Sequence, residues 1–232
     1  MKLSVVIPVY NEAENVPLLV KELAAIAAAF DAFEVLLVDD GSVDETWEAI
    51  VQCASNFEFL RGIRCVENRG QSAAMLHGLA EVAYDLVATL DGDLQNDPAD
   101  LPKLAGAIEG YDVVCGYRAE RKDRWSKRIG SKLANRVRSL VTGDGIIDTG
   151  CSLKVFRRAC VTDLPPLDGV HRFMPAYFML HGRKIHQVAV NHRPRLHGES
   201  KYTNLKRLPR TIRDLRGFAW YRSRFVSPGE SS

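Results

Sequence analysis

Two short apolar runs each end in a cluster of acids. Val35-Leu36-Leu37-Val38 passes into Asp39-Asp40-Gly41-Ser42, and Leu86-Val87-Ala88-Thr89-Leu90 passes into Asp91-Gly92-Asp93-Leu94-Gln95. Runs of this kind read as buried strands. In an open α/β sheet the carboxyl ends of the strands are where ligands bind. The D-x-D places Asp91 and Asp93 on one side of a tight turn, where glycine permits close approach. That arrangement suits a hard divalent cation carrying a diphosphate. Asp-Gly pairs are also ordinary turn chemistry, but two acidic clusters at the ends of two such strands weigh against turn-making alone.

The rest of the N-terminal half repeats the pattern. Leu3 to Val9 reads as a buried first strand with Pro8 near its end, where a lost ladder donor is tolerable. Helical spacing of Val16, Leu19, Val20, Leu23 and Ile26 predicts a helix over 14–30. Ser42-Val43-Asp44-Glu45 has the form of a capping box opening a helix through Val51. Strands are expected at 59–66, 85–90 and 112–115, with helices at 70–82 and 100–108. Strands alternating with helices imply a mostly parallel central sheet with helices on both faces. Further on, a turn and strand are expected at 149–156, a helix at 170–180 and a strand at 184–190.

Charge divides the chain. Residues 1–110 hold 6 Lys/Arg and 19 Asp/Glu, and residues 111–232 hold 25 and 10. An acidic half with a D-x-D and a basic half fit a metal–diphosphate site beside an anionic acceptor. Nucleic acid is not expected as a partner, because no recognition motif accompanies the basic charge. The basic residues from Arg118 to Arg138 alternate with Trp125, Ile129, Leu133 and Val137, which predicts a basic amphipathic helix. A second one is expected near the C-terminus, with Pro209 in its first turn and Ile212, Leu215, Phe218 and Ala219 on one face. Its basic residues and the interfacial types Trp220 and Tyr221 suit an anionic membrane surface. The same face would equally dock on the catalytic domain.

The five cysteines form no C-x-x-C, and their odd count and wide spacing predict reduced thiols. The histidines come with no H-E-x-x-H, so zinc is not expected, and nicotinamide or ATP sites lack their glycine motifs. The N-terminus enters a strand at Leu3 without a leader pattern. The longest apolar run, Leu23 to Phe30, has 8 residues, whereas a spanning helix needs about 20.

Four motifs occur in order: Val6-Ile7-Pro8-Val9-Tyr10-Asn11-Glu12, then Val38-Asp39-Asp40-Gly41-Ser42 with Asp44 and Thr46, then Asn68-Arg69-Gly70, then Asp91-Gly92-Asp93-Leu94-Gln95. Together they resemble the family 2 inverting glycosyltransferases. In the second half, Gly116-Tyr117-Arg118, Asp148-Thr149-Gly150-Cys151 and the run from His192 through Arg195 to Gly198-Glu199-Ser200-Lys201-Tyr202 resemble the polyprenyl-phosphate branch of that family, the dolichyl- and undecaprenyl-phosphate glycosyltransferases. The resemblance implies the GT-A nucleotide-diphospho-sugar transferase fold. A catalytic domain is expected over 1–203, and the residues themselves predict a basic amphipathic segment over 204–226 and a disordered tail over 227–232. The resemblance also implies that Pro8, Tyr10, Glu12 and Asp39 hold the nucleoside of a UDP- or GDP-linked sugar, with Asp91 shared between nucleotide and metal. Asp91, Asp93 and Gln95 would meet Mg²⁺ or Mn²⁺. Arg118, Arg128, Ser131, Asn135, Arg195, Ser200 and Lys201 would grip donor or acceptor phosphate. Asp148 is left with two roles, orienting an Arg or Lys, or serving as base for a hydroxyl acceptor. The implied reaction is metal-dependent inverting transfer of the sugar to a polyprenyl phosphate. A soluble or glycan hydroxyl acceptor, or a non-catalytic nucleotide-sugar-binding module, is the alternative. The expected location is cytoplasmic, peripheral at the membrane face, through lipid or a membrane-embedded partner, and a homo-oligomer is compatible with the sequence.

Overall fold

A computed structural model describes residues 1–119, 138–139, 141–194 and 204–226, with side chains described from residue 211 within the last stretch. One seven-stranded sheet organises the chain. Its strands are β1 (Lys2–Val9), β2 (Ala32–Asp39), β3 (Leu60–Arg64), β4 (Leu86–Thr89), β5 (Val113–Arg118), β6 (Lys154–Arg157) and β7 (Ile185–Val190), in the order β3-β2-β1-β4-β6-β5-β7. All neighbours run parallel except β6, which is antiparallel to both β4 and β5. The helices are α1 (Asn15–Ala27), α2 (Thr46–Ala54), α3 (Gln71–Ala80), α4 (Leu101–Gly106), α5 (Val170–Leu180) and α6 (Asn204–Arg224).

Strand alternation sorts the core onto the two faces of the sheet. Val5, Ile7, Val35 and Leu37 pack with Val16, Leu19 and Leu23 of α1, Ile50 of α2 and Leu104 of α4. Val6, Leu36 and Val38 pack on the other side with Met75 and Leu79 of α3 and Phe173, Met174 and Phe178 of α5. Both faces of these strands are therefore covered, which explains why they read as continuous apolar runs rather than as alternating ones.

Three sequence expectations change. Ser42 does not cap α2: its hydroxyl accepts from Asn11 N at 2.9 Å, and Asp44 takes the cap role by accepting from Thr46 N at 3.1 Å. A tertiary partner 31 residues away has claimed the capping hydroxyl. The C-terminal helix begins at Asn204 rather than at Pro209, and Pro209 lies within it. Its buried face is Asp214, Leu215, Phe218 and Tyr221, whereas Ile212 is 43% exposed, Trp220 is 64% exposed and Ala219 is exposed. Phe218 is 1% exposed, stacks on Phe173 at 5.8 Å and meets Tyr177 edge-on at 5.1 Å. Arg172 of α5 binds Asp214 of α6 at 2.8 Å. The docked alternative for this face is thus the one observed. The basic helix expected around 120–137 and the tail at 227–232 lie outside the described residues.

Candidate active site

The carboxyl edge of the sheet carries the site, and its order across the edge follows the strand order. At β2, Asp39 has no exposed side-chain surface. Its Oδ1 accepts from Ser42 N at 2.9 Å, while Oδ2 is buried and accepts no hydrogen bond. A buried, unmatched carboxylate oxygen is costly, and at a strand end it marks where a ligand donor belongs. Tyr10 follows β1, whose last residue, Val9, pairs in register with Asp39. Pro8 lies one step further in, half-buried. Glu12 turns toward α1: its Oε2 accepts from Asn15 Nδ2 at 2.5 Å, and its own N–H is held by Thr46 Oγ1 at 2.8 Å.

The neighbouring acid, Asp40, has a different task. Its two oxygens accept from Arg69 N at 3.0 Å and Gly70 N at 2.8 Å, fixing the Asn68-Arg69-Gly70 loop against β2. Burial raises its pKa above the ordinary carboxylate value against those two bonds. That loop leads into α3, whose first residue, Gln71, donates from Nε2 to Asp91 Oδ1 at 2.7 Å. The loop motif thereby reaches the D-x-D.

At the end of β4, Gly92 lets the turn lie against β1, since a Cβ there would come within 2.6 Å of Val9 Cγ1. The turn is pinned from β6: Ser152 Oγ accepts from Asp91 N at 3.2 Å and from Asn96 Nδ2 at 2.6 Å. Asp93 Oδ1 accepts from Gln95 N at 3.2 Å. Burial, and after it the charge of Asp93, raises the pKa of Asp91 above the ordinary carboxylate value. Two carboxylates and an amide oxygen on one turn, with the carboxylates repelling one another, form an all-oxygen donor set that a dication would relieve. Among the described residues no group of three or more His, Cys, Asp or Glu side chains is arranged to hold a metal. The remaining coordination would therefore fall to Gln95, diphosphate oxygens and water, as is usual for Mg²⁺.

Beyond β6 stands the cationic side. Arg118 closes β5, and its guanidinium is bound to Asp148 through Nε to Oδ2 at 2.6 Å and Nη2 to Oδ1 at 2.9 Å. Arg118 N, at 3.3 Å, and Gly150 N, at 3.1 Å, add two further donors to the same carboxylate. After β7, residues 191–193 are stitched to the D-x-D turn. Asn96 and His192 form an antiparallel bridge, Arg193 N donates to Gln95 O at 2.9 Å, and Asn191 N donates to Asp100 Oδ2 at 2.7 Å. Arg193 also spans Glu22 at 2.7 Å and Asp97 at 2.5 Å. Burial, then the charge of Arg118, lowers the pKa of the His192 imidazolium, while a bond to the Gln95 backbone raises it.

The structure thus brings Pro8, Tyr10, Glu12, Asp39, Asp91, Asp93, Gln95, Arg118 and Asp148 to one edge of one sheet. Arg128, Ser131, Asn135, Arg195, Ser200 and Lys201 lie outside the described residues. Sequence reading missed Asp40, Gln71, Ser152 and Arg193 as site-building residues. Their partners are distant in the chain: Asp40 stands in the acidic cluster that ends β2, but nothing local tells it apart from Asp39, and no local pattern marks Gln71, Ser152 or Arg193.

Fold and site together define a nucleotide-sugar transferase, and the chain belongs to glycosyl transferase family 2: the Glycosyl transferase family 2 model matches residues 4–164, which hold every motif from β1 to Asp148. Among solved structures the chain is similar to glucosyl-3-phosphoglycerate synthase from Mycobacterium tuberculosis, at 21% identity and TM-score 0.72 over 98% of this chain and 82% of that one. The same enzyme with Mg²⁺ and uridine diphosphate matches at 20% identity and TM-score 0.74, over 98% and 81% of the two chains. With Mn²⁺, uridine diphosphate and phosphoglyceric acid it matches at 20% and 0.74, over 98% and 80%. The α/β architecture is that of the GT-A glycosyltransferases, as the motifs implied.

Proposed function

We propose that the protein transfers a sugar, with inversion, from a nucleotide-diphosphate sugar to a polyprenyl phosphate, in a reaction that needs Mg²⁺ or Mn²⁺. The carrying observation is the occupation of Asp148, whose two oxygens take four N–H donors from Arg118 and Gly150. A carboxylate committed in this way holds an arginine and is a poor proton acceptor. A hydroxyl acceptor needs a general base, whereas a phosphate monoester is already anionic. Its oxygen attacks the anomeric carbon as the bond to the diphosphate breaks, and the nucleoside diphosphate leaves with the electron pair. The cation-rich second half and its resemblance to polyprenyl-phosphate transferases support the same acceptor.

Asp39 and Tyr10 hold the nucleoside in this reading, with Pro8 and Glu12 shaping its rim. Asp91, Asp93 and Gln95 hold the cation. Held there, the cation would neutralise charge on the diphosphate leaving group. The Mg²⁺ or Mn²⁺ and uridine diphosphate bound by the similar synthase support that assignment. Arg118 orients phosphate oxygens, a task suited to its rigid fork, with Arg128, Ser131, Asn135, Arg195, Ser200 and Lys201 assigned to the same acceptor side. Residues 1–203 form the catalytic unit, with the segment 204–226, helical over Asn204–Arg224, laid on it and its basic outer surface toward an anionic membrane. Among the described residues no helix is long and apolar enough to cross a membrane, so the lipid would be met from the surface.

A second reading has its own support: the similar synthase is seen with phosphoglyceric acid, so a small phosphorylated hydroxyl acceptor fits the fold. The test is a nucleotide-sugar panel offered undecaprenyl phosphate or phosphoglyceric acid, with labelled sugar followed into organic and aqueous phases. Organic-phase product supports the lipid acceptor. Turnover confined to the aqueous arm selects the second reading, and no turnover with either defeats both.

A further inference from the structure

Gln71, which holds Asp91, is followed in α3 by Ser72, a residue only 3% exposed. Ser72 Oγ accepts from Gly169 N at 2.9 Å and lies 2.7 Å from Nδ1 of His171, a half-buried residue in the first turn of α5. A hydroxyl has one proton to give and two places to accept. With Gly169 N donating to it, the Ser72 proton goes to Nδ1, so His171 is the acceptor of the pair. The start of α3 depends on such contacts. The residue before it, Gly70, holds φ at +90°, and no side chain caps the helix. The first turn is held from two sides instead. Asp40 takes Arg69 N and Gly70 N on one side, and α5 takes Ser72 on the other. The α5 side is braced in its turn by α6: Arg172 binds Asp214 at 2.8 Å, and a Cβ on Gly169 would lie 2.8 Å from Asp214 Cγ.

We propose that His171 is a positioning residue for the D-x-D: through Ser72 it fixes the first turn of α3, and through Gln71 that turn aims Asp91. This rests on the reading of Asp91, Asp93 and Gln95 as the ligands of the cation. A carboxylate binds a dication better when an outer hydrogen bond has set its direction before the ion arrives. Gln71 supplies that bond to Asp91 Oδ1 at 2.7 Å. Its side chain is long and exposed, so its aim is only as good as the placement of the backbone that carries it. Ser72 is the next residue on that backbone, and His171 is what holds it across 99 residues of sequence. Without an acceptor at Nδ1 the buried Ser72 proton is left unmatched, which is costly, and the first turn of α3 must move to find another partner. Gln71 moves with it.

The experiment follows Mn²⁺ binding to the full chain in the presence of UDP, with free Mn²⁺ read from its electron paramagnetic resonance signal. The variants are Gln71→Leu, Ser72→Ala, His171→Phe, His171→Asn and the double variant of Gln71→Leu with His171→Phe. Gln71→Leu should weaken Mn²⁺ by about 10- to 100-fold, the range for losing an outer partner of a metal ligand. Ser72→Ala and His171→Phe should each cost about 10-fold, the lower end of that range. His171→Asn, whose Oδ1 can accept where Nδ1 does, should retain most of the parent affinity. In the Gln71→Leu background His171→Phe should cost nothing further, because the path to Asp91 is already cut. A histidine that only supports the fold would lower the thermal midpoint and leave Mn²⁺ affinity alone. Parent-like Mn²⁺ affinity in Ser72→Ala and His171→Phe would therefore overturn the proposal, as would the same fold-loss from His171→Phe with and without Gln71. If the parent protein itself binds no Mn²⁺, the metal reading fails and this proposal with it, a result distinct from a parent that binds and variants that match it.

Discussion

Arg118 and Asp148 meet as a two-pronged pair, Nε to Oδ2 at 2.6 Å and Nη2 to Oδ1 at 2.9 Å, with side chains only 15% and 7% exposed. The pair joins the end of β5 to the Asp148–Cys151 turn, which in turn leads into β6 through Ser152, the residue that pins the D-x-D. One carboxylate thus aligns an arginine and anchors the strand that supports the D-x-D turn. Removing one partner of a mostly buried pair strands the other's charge, at about 3–5 kcal/mol. Asp148→Ala is therefore expected to lose stability on that scale, while the double variant Arg118→Met, Asp148→Leu loses much less. Chemical denaturation of the two single variants and the double one measures the coupling. Additive losses would show that the pair carries no mutual stabilisation.

Activity separates the two roles for Asp148. As the holder of Arg118, its replacement by Asn should raise the acceptor KM and leave measurable kcat, because the amide oxygen still accepts one of the guanidinium bonds. A general base would lose about 10²–10⁴-fold in kcat on the same change. Steady-state kinetics of Asp148→Asn at saturating donor decides between them.

The D-x-D should show opposite effects on stability and on function. Asp91 is harder to ionise than an ordinary aspartate because of its burial and then of the charge of Asp93. In the folded protein Asp91 therefore holds its proton more tightly than in the unfolded chain. Its charged form costs stability above the folded value, and that cost is relieved as pH falls through it. Asp93→Asn removes the neighbouring charge. The metal-free variant should melt higher than the parent, by roughly 1–3 °C on the scale of a sub-kcal/mol gain in a chain of this size. The same variant should lose the stabilisation that Mn²⁺ gives the parent and about 10²-fold or more in activity, the scale of losing a key electrostatic stabiliser. Melting curves with Mn²⁺ and with chelator test both halves. A parent enzyme fully active in excess chelator would remove the metal from the reaction.

What the sequence showed was local. The strands were legible because each is a short apolar run, and the site because acids follow two of them directly. The helix expected over 170–180 is found at those residues. What it hid was set by contacts across the chain. Ser42 satisfied the capping pattern, yet Asn11 took its hydroxyl. Asp40 looked equivalent to Asp39, but only its position against Arg69 and Gly70 made it a loop anchor. The antiparallel insertion of β6 between β4 and β5 follows from its path out of the Asp148 turn, and alternation of elements says nothing of strand direction. In the C-terminal helix, one apolar stripe was assigned to Ile212, Leu215, Phe218 and Ala219. Packing on α5 instead selects Leu215, Phe218 and Tyr221, around the ion pair of Asp214 with Arg172.

That docking changes the expectation for the C-terminal helix. Phe218 is enclosed by Phe173 and Tyr177, so Phe218→Ala should cost about 3–5 kcal/mol, the usual range for a buried phenylalanine. Deleting α6 should destabilise the whole domain rather than release an intact one. The outer surface, with Trp220 at 64% exposure and Arg213 at 71%, is free of that constraint. Trp220→Ala should leave the melting temperature within about 2 °C, as expected of surface changes. If the outer surface meets the membrane, the same change should reduce co-sedimentation with anionic vesicles, and salt should weaken what remains. Vesicle binding unaltered by Trp220→Ala and by salt would remove this surface as the contact.

The backbone between Asp40 and Ser42 has no room for a side chain. Gly41 holds φ at +68°, and a Cβ on it would lie 2.6 Å from the Glu67 carbonyl carbon and 2.7 Å from Asn68 N, both main-chain atoms. Those atoms cannot rotate away as a side chain would, and the next two residues are tied to Asp40 through their N–H groups. Gly41→Ala therefore combines the cost of a left-handed non-glycine residue, about 1–2 kcal/mol, with overpacking of about 1–3 kcal/mol. Gly110 supplies the control. Its φ is +78°, but nothing lies within 4 Å of where its Cβ would be, so Gly110→Ala should show the backbone cost alone. The difference between the two melting temperatures isolates the steric part. Because that part moves the loop that Asp40 holds beside Asp39, Gly41→Ala should also weaken nucleoside diphosphate binding, which Gly110→Ala should leave intact. Equal losses of stability in the two variants would mean that residues 67–68 yield to the new methyl group without cost.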